Sequence, residues 1–248
     1  MTSSKDKWLL IVVFIACALV STPSSAMLYV DEKTAVNIGL TIFPPTVETD
    51  RDGNCFGEGV DLFRDIFSPD KYILNIYCAT PARVYRDFAN GQIDITVNIK
   101  STESLSQNVL FSDIPYINLQ VMLYSNNLQP NGTIAAIRQF NYHGAKQNLI
   151  DKGYMMLNQA NSKEAVTVFW RGGAQGLISY KMPYEHYYKL LKDAARLGAF
   201  EGQTTAQELV TVPSYFVVNK ANAQAESLLK RINEFNQSRM APLEDENL

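Results

Sequence analysis

Only two histidines and three cysteines occur in the 248 residues of this chain. His143 and His186 are far apart and show no metal-ligand spacing, so no metal centre is expected. There is no Gly-x-Ser-x-Gly elbow, no phosphate loop and no free cysteine beside a histidine, so no nucleophile or nucleotide motif is present. Basic runs and RNA-binding aromatic motifs are missing too, and a formal net charge of −3 gives no reason to expect a nucleic-acid partner. Internal repeats and low-complexity tracts are absent. The apolar run of residues 8–20 is too short for a bilayer-spanning helix, which needs about 20 residues.

That run follows Lys5 and Lys7 and precedes a small-residue stretch in which Ser24 and Ala26 form a small-x-small cleavage pattern. Residues 1–26 therefore read as an export signal, with Met27 opening the mature chain. An uncleaved anchor is one alternative. Lipidation at Cys17 is another, because residues 14–17 loosely resemble a lipobox with Phe14 in place of leucine. Loss of the signal leaves Cys55 and Cys78, which an oxidising compartment would favour pairing; two separate buried thiols are the alternative.

The remainder is long enough for two cores of about 100 residues each. Residues 60–67 carry Leu62, Phe63, Ile66 and Phe67 on one helical stripe, and residues 72–77 form an aromatic, β-branched strand. Thr80 and Pro81 open a helix over residues 81–90, closed by Gly91, and residues 93–99 make the next strand. This βαβα rhythm predicts parallel strands with crossover helices. Further on, the pattern predicts helices over 141–152, from the Asn161/Glu164 capping pair to Gly172, over 185–197 and over 223–235, with strands at 154–157, 176–180 and 208–219. Residues 236–248 read as a frayed polar tail.

Four segments carry a resemblance: residues 56–62 (Phe-Gly-Glu-Gly-Val-Asp-Leu), 88–94 (Phe-Ala-Asn-Gly-Gln-Ile-Asp), Thr102, and 111–116 (Phe-Ser-Asp-Ile-Pro-Tyr). In this order they resemble the family 3 periplasmic solute-binding proteins, which deliver amino acids to ABC importers. Residues 132–137 and 215–220 extend the likeness over most of the chain after residue 30. The resemblance implies an α/β fold of two lobes (the type II periplasmic binding protein fold), each a mostly parallel sheet flanked by helices. Lobe 1 would comprise residues 27–120 and 214–240 and lobe 2 residues 121–213, with a flexible tail over 241–248. It further implies a monomer in the periplasm, a small-molecule ligand without a cofactor, and a membrane permease or a sensor protein as partner. Some relatives of this fold are enzymes, but the acids Glu48, Glu58 and Glu103 are unpaired in sequence, and a binding protein is the expected class.

In that family an arginine clamps the ligand's α-carboxylate and an aspartate takes its ammonium. Here those positions fall on Leu105 and Tyr180, neither of which can form a charged contact. The cations left to weigh are Arg83 at a helix start, Lys100 after a strand, and Arg138 in the turn of residues 137–141; surface roles are the alternatives for each. Phe43, Tyr116 and Tyr180 are expected as cleft walls, and Asn98 and Thr102 as polar groups at a strand end, where ligands of such sheets bind. Ordinary core packing is the alternative for Phe43.

Overall fold

The computed structural model describes residues 33–240, except 103–104, 106–107 and 195–203. The export signal, Cys17, Glu103 and the tail over 241–248 lie outside the described residues.

Strand β1 (Thr34–Thr41) begins the sheet, with Val36, Ile38 and Leu40 buried at alternate positions. A short ribbon of β2 (Glu48–Thr49) and β3 (Cys55–Phe56) leads to helix α1 (Glu58–Ile66). Strand β4 (Tyr72–Ala79), helix α2 (Pro81–Ala89) and β5 (Ile95–Ile99) complete the expected βαβα unit, and both β4 and β5 pair parallel to β1. After β6 (Val109–Phe111) and β7 (Ile117–Ser125) come β8 (Thr133–Ile137), α3 (Ala145–Asp151), β9 (Met155–Gln159), α4 (Ser162–Trp170), β10 (Gly176–Tyr180) and α5 (Lys181–Asp193). The chain returns on the long β11 (Thr205–Asn219) and ends its described part in α6 (Ala225–Met240).

The main sheet of the described residues runs β4-β1-β5-β11-β7-β10-β8-β9, with β6 paired to β11. It is parallel in β4-β1-β5 and β10-β8-β9, but β11 pairs antiparallel with β5, β6 and β7, and β10 antiparallel with β7. Apart from the β10–β7 pair, the antiparallel part follows from the long return strand, which joins both halves of the sheet. Along β11, Phe216 and Val218 enter a core with α1 and α6, while Val217 enters another with α2 on the opposite face, as a two-residue period requires. Val212, farther back on the same strand, belongs to a third core built by α3, α4 and α5 around Tyr142, Phe169 and Trp170. One strand therefore serves hydrophobic cores on both sides of the molecule.

Several element boundaries differ from the sequence reading by one or more residues, and three of the differences bear on the site or the core. Helix α5 starts at Lys181, before Pro183, because a proline in the first turn forfeits only an amide that has no helical partner there. Helix α3 starts at Ala145, not at residue 141, because Tyr142 and His143 take left-handed backbone angles (φ 51° and 57°). Helix α6 continues through residues read as tail, and Asn236 is buried on it.

Cys55 and Cys78 are joined by a disulfide, so the paired alternative holds. No helix among the described residues is long and apolar enough to cross a membrane.

Candidate functional site

The carboxyl ends of β1 and β5 meet the β8–α3 turn across a cleft of about 330 Å³. Each wall has a local cause. After β1, the Phe43 and Val47 backbones bond to each other in both directions, and the Thr46 hydroxyl donates to the Phe43 carbonyl at 2.7 Å. This closes a tight loop over the start of α1. Gly57, with φ 115°, and Gly59 let that helix start approach it: a Cβ on Gly57 would stand 2.5 Å from the Thr46 carbonyl oxygen, and one on Gly59 3.0 Å. The amide of Gly59 donates to that same oxygen at 2.9 Å.

On β5, the Asn98 side-chain oxygen accepts from the Ile99 amide and the Thr102 hydroxyl, both at 2.8 Å, which orients the side chain at the cleft. Opposite, the turn after β8 is built round Tyr142. The Tyr142 phenol oxygen accepts the Ile137 amide at 3.0 Å, and the wholly buried ring holds the chain in its left-handed bend. Burial raises the Tyr142 phenol above its ordinary pKa and raises Tyr180 well above it; Tyr85 is pushed up to about 12 by the same cause. These phenols stay neutral at physiological pH.

Lys146, on the first turn of α3, braces the same bend. Its ammonium donates to the carbonyls of Ile137 (3.2 Å) and Arg138 (3.3 Å) and to Asn158 Oδ1 (2.6 Å), which occupies all three protons. Partial burial lowers its pKa. Among the described residues lining the cleft, Arg138 and Lys146 are the cations and there is no carboxylate.

Groups from the two sides also touch. The Asn141 side-chain amide donates to the Ser101 carbonyl at 3.1 Å, and His143 Nδ1 lies 3.0 Å from the Ser101 hydroxyl. His186 of α5 is 3.4 Å from the Glu48 carboxylate on β2. The Phe43 ring reaches across to Tyr180 at a centroid distance of 5.4 Å.

Of the residues singled out in the sequence, Phe43, Asn98, Thr102, Tyr116, Arg138 and Tyr180 line the cleft. Arg83 and Lys100 do not. Arg83 lies on an outer face of α2, its side chain 64% exposed, and pairs with Asp87 at 3.6 Å. Lys100 is exposed and sits over the Tyr215 ring, 4.2 Å from its centroid. Leu105, at the position of the resembled family's clamp, is 2% exposed within the α2 core. Neither Glu48 nor Glu58 lines the cleft. Lys146 and Ser214 line it without having been anticipated, and Phe140 and Asn141 line it from the turn of which only Arg138 was singled out. Only Asn141 carried a signal, as a turn residue; Lys146 looks in sequence like any lysine on an exposed helix.

Asp87 gives Arg83 a structural setting. Its carboxylate accepts from Arg86 at 2.8 Å and from the Tyr77 phenol at 3.0 Å. Arg86 above all, and Tyr77 after it, hold the carboxyl below the ordinary aspartate range. A depressed folded pKa stabilises the fold above the unfolded value of about 3.9 and loses that contribution as pH falls through the folded value. Asp87→Asn should therefore flatten the fall of the melting temperature below about pH 4. An unaltered melting profile would mean that the arginines do not hold this carboxylate in solution.

No protein-family model matches the sequence, and no curated protein matches it. Solved structures do. An ancestral arginine-binding protein bound to arginine aligns with a TM-score of 0.66 at 18% identity, covering 83% of this chain and 92% of that one. An ABC uptake transporter substrate-binding protein from Streptococcus pneumoniae with bound histidine aligns at 0.63 and 19%, covering 82% and 86%. A histidine kinase sensor domain with similarity to periplasmic binding proteins aligns at 0.65 and 16%, covering 82% and 89%. At these identities the likeness establishes the fold, the two-lobed α/β architecture of periplasmic binding proteins.

Proposed function

We propose that this chain is an exported solute-binding protein whose two lobes close on a small organic anion in the periplasm and present it to a membrane importer. The observation that carries the reading is the cleft, walled by the ends of β1 and β5 on one side and by the β8–α3 turn and Tyr180 of β10 on the other, with Asn141, His143 and His186 reaching across. A ligand that touches both walls binds the closed form better than the open one, and only such differential affinity shifts the equilibrium. With Leu105 buried in a core and Tyr180 a neutral phenol, the described lining residues offer no counterpart of the charged pair used by the resembled family for α-amino acids, and on this reading Arg138 with its turn takes over the anion. We place the lobes at residues 27–120 with 214–240 and at 121–213, and read the protein as a monomer without a cofactor or catalytic group.

Titration calorimetry and small-angle scattering against a metabolite panel test this. At least one small anion should bind and reduce the radius of gyration. A chain that no solute compacts would overturn the reading.

The sensor-domain neighbour favours a second reading, in which the closed lobes signal to a sensor protein. Deletion of the chain separates the two. Loss of ligand-dependent solute uptake supports transport, whereas intact uptake with altered signalling supports sensing.

A further inference from the structure

We infer that the cleft takes a small aromatic monocarboxylate: a ring that bears one carboxylate, directly or through one or two carbons, and no ammonium group. The inference rests on the solute-binding reading above and deepens it.

Charge sets the first requirement. The cleft's cations face no carboxylate among the described lining residues, so a cationic group on the ligand would be desolvated without a counter-ion. Of the two cations, Lys146 has its three protons committed to Ile137, Arg138 and Asn158. It adds positive charge behind the turn and is a positioning residue. Arg138 has no ion pair among the described residues, and its guanidinium suits one carboxylate bidentately.

Rings set the second. Phe140 stands two residues from Arg138 on the same turn and meets Tyr180 edge-on at 5.5 Å; Tyr180 in turn meets Phe43 at 5.4 Å. The turn that carries the exposed Arg138 therefore also carries one end of the aromatic wall, and a short ligand could engage both. Aromatic ligands gain most from such tilted ring contacts. The volume, at the low end of the range for small-molecule pockets of about 300–1,000 Å³, fits one ring and its acid.

Calorimetry on the full chain with benzoate and phenylacetate tests this against three comparators: L-phenylalanine, benzyl alcohol and butyrate. One of the aromatic acids should bind at least about tenfold more tightly than each comparator, the discrimination expected from one charge-assisted bond or one unpaired buried charge. Arg138→Gln should weaken that acid by about tenfold to a hundredfold while leaving the melting temperature of the free protein unchanged. Equal or tighter binding of L-phenylalanine overturns the exclusion of the ammonium, of benzyl alcohol the role of the charge, and of butyrate the role of the ring. If another solute compacts the chain and neither aromatic acid binds, this inference fails and the solute-binding reading stands. If no solute compacts it, both fail.

Discussion

Replacing Cys55 and Cys78 together by serine should lower the folding stability by about 3 kcal/mol, the chain-entropy value for a loop of this size. The bond spans a sequence separation of 23 and ties β3 to the end of β4, with the two Cα atoms 5.7 Å apart. Little else secures the β2–β3 ribbon. It consists of two short paired strands, Glu48 opposite Phe56 and Thr49 opposite Cys55, and a turn held by Asp50 through bonds to Asp52 and Asn54. Two-stranded ribbons of this kind are marginal in water on their own. The ribbon matters because it feeds the Gly57–Gly59 approach to the cleft and carries Glu48 to His186. For a domain of this size the loss corresponds to a melting temperature lower by roughly 6–12 °C. Denaturant unfolding of the double variant, beside the native chain with and without reductant, measures it. A loss under about 1 kcal/mol would show that the unfolded chain keeps these segments close without the bond.

The site was partly legible in the sequence because strand ends and helix caps leave local marks. The Asn161/Glu164 pair is a reciprocal cap: Asn161 Oδ1 accepts from the Glu164 amide at 2.9 Å, and Glu164 accepts from the Ala160 amide at 3.2 Å. Thr80 and Pro81 do open α2, and Gly91 closes it with φ 72°. Phe43, Asn98 and Thr102 follow from the rule that ligands bind beyond the carboxyl ends of strands. What stayed hidden depends on contacts between distant elements. Nothing in residues 141–144 announces two consecutive left-handed non-glycine residues, because the bend is held by a buried phenol reaching back to Ile137. Lys146 turns inward only because that bend presents two carbonyls to it. Arg83 takes the surface role that the sequence left open beside a place in the cleft, and its spacing from Asp87, one helical turn, points to that ion pair on the helix surface.

The largest single-residue effect on the fold is expected from Phe216→Ala, at about 3–5 kcal/mol of lost stability. Phe216 is fully buried on β11, edge-on to Phe63 of α1 at 5.5 Å and tilted against Tyr116 at 5.3 Å. Its strand pairs with β5 on one side, and on the other the Ser112 amide donates to the Phe216 carbonyl at 3.0 Å. No local replacement for the ring exists, since its partners come from residues a hundred or more positions earlier in the chain. The cavity would open between α1 and the sheet, beneath the Gly59 approach and the Tyr116 wall. Hydrogen exchange tells where the damage falls. Protection should drop in β1, β5 and α1, which share this core, and persist in β8 and β9, which pack against the core of Tyr142 and Trp170. Trp170→Ala, with Trp170 only 2% exposed, should produce the converse pattern at a similar magnitude. If Phe216→Ala costs less than about 1.5 kcal/mol, or loosens both halves equally, the return strand does not complete the first core as a separate unit. Two distinct patterns would instead show that β11, a single strand of 15 residues, joins two separately packed halves, which is the mechanical requirement for lobes that open and close about it.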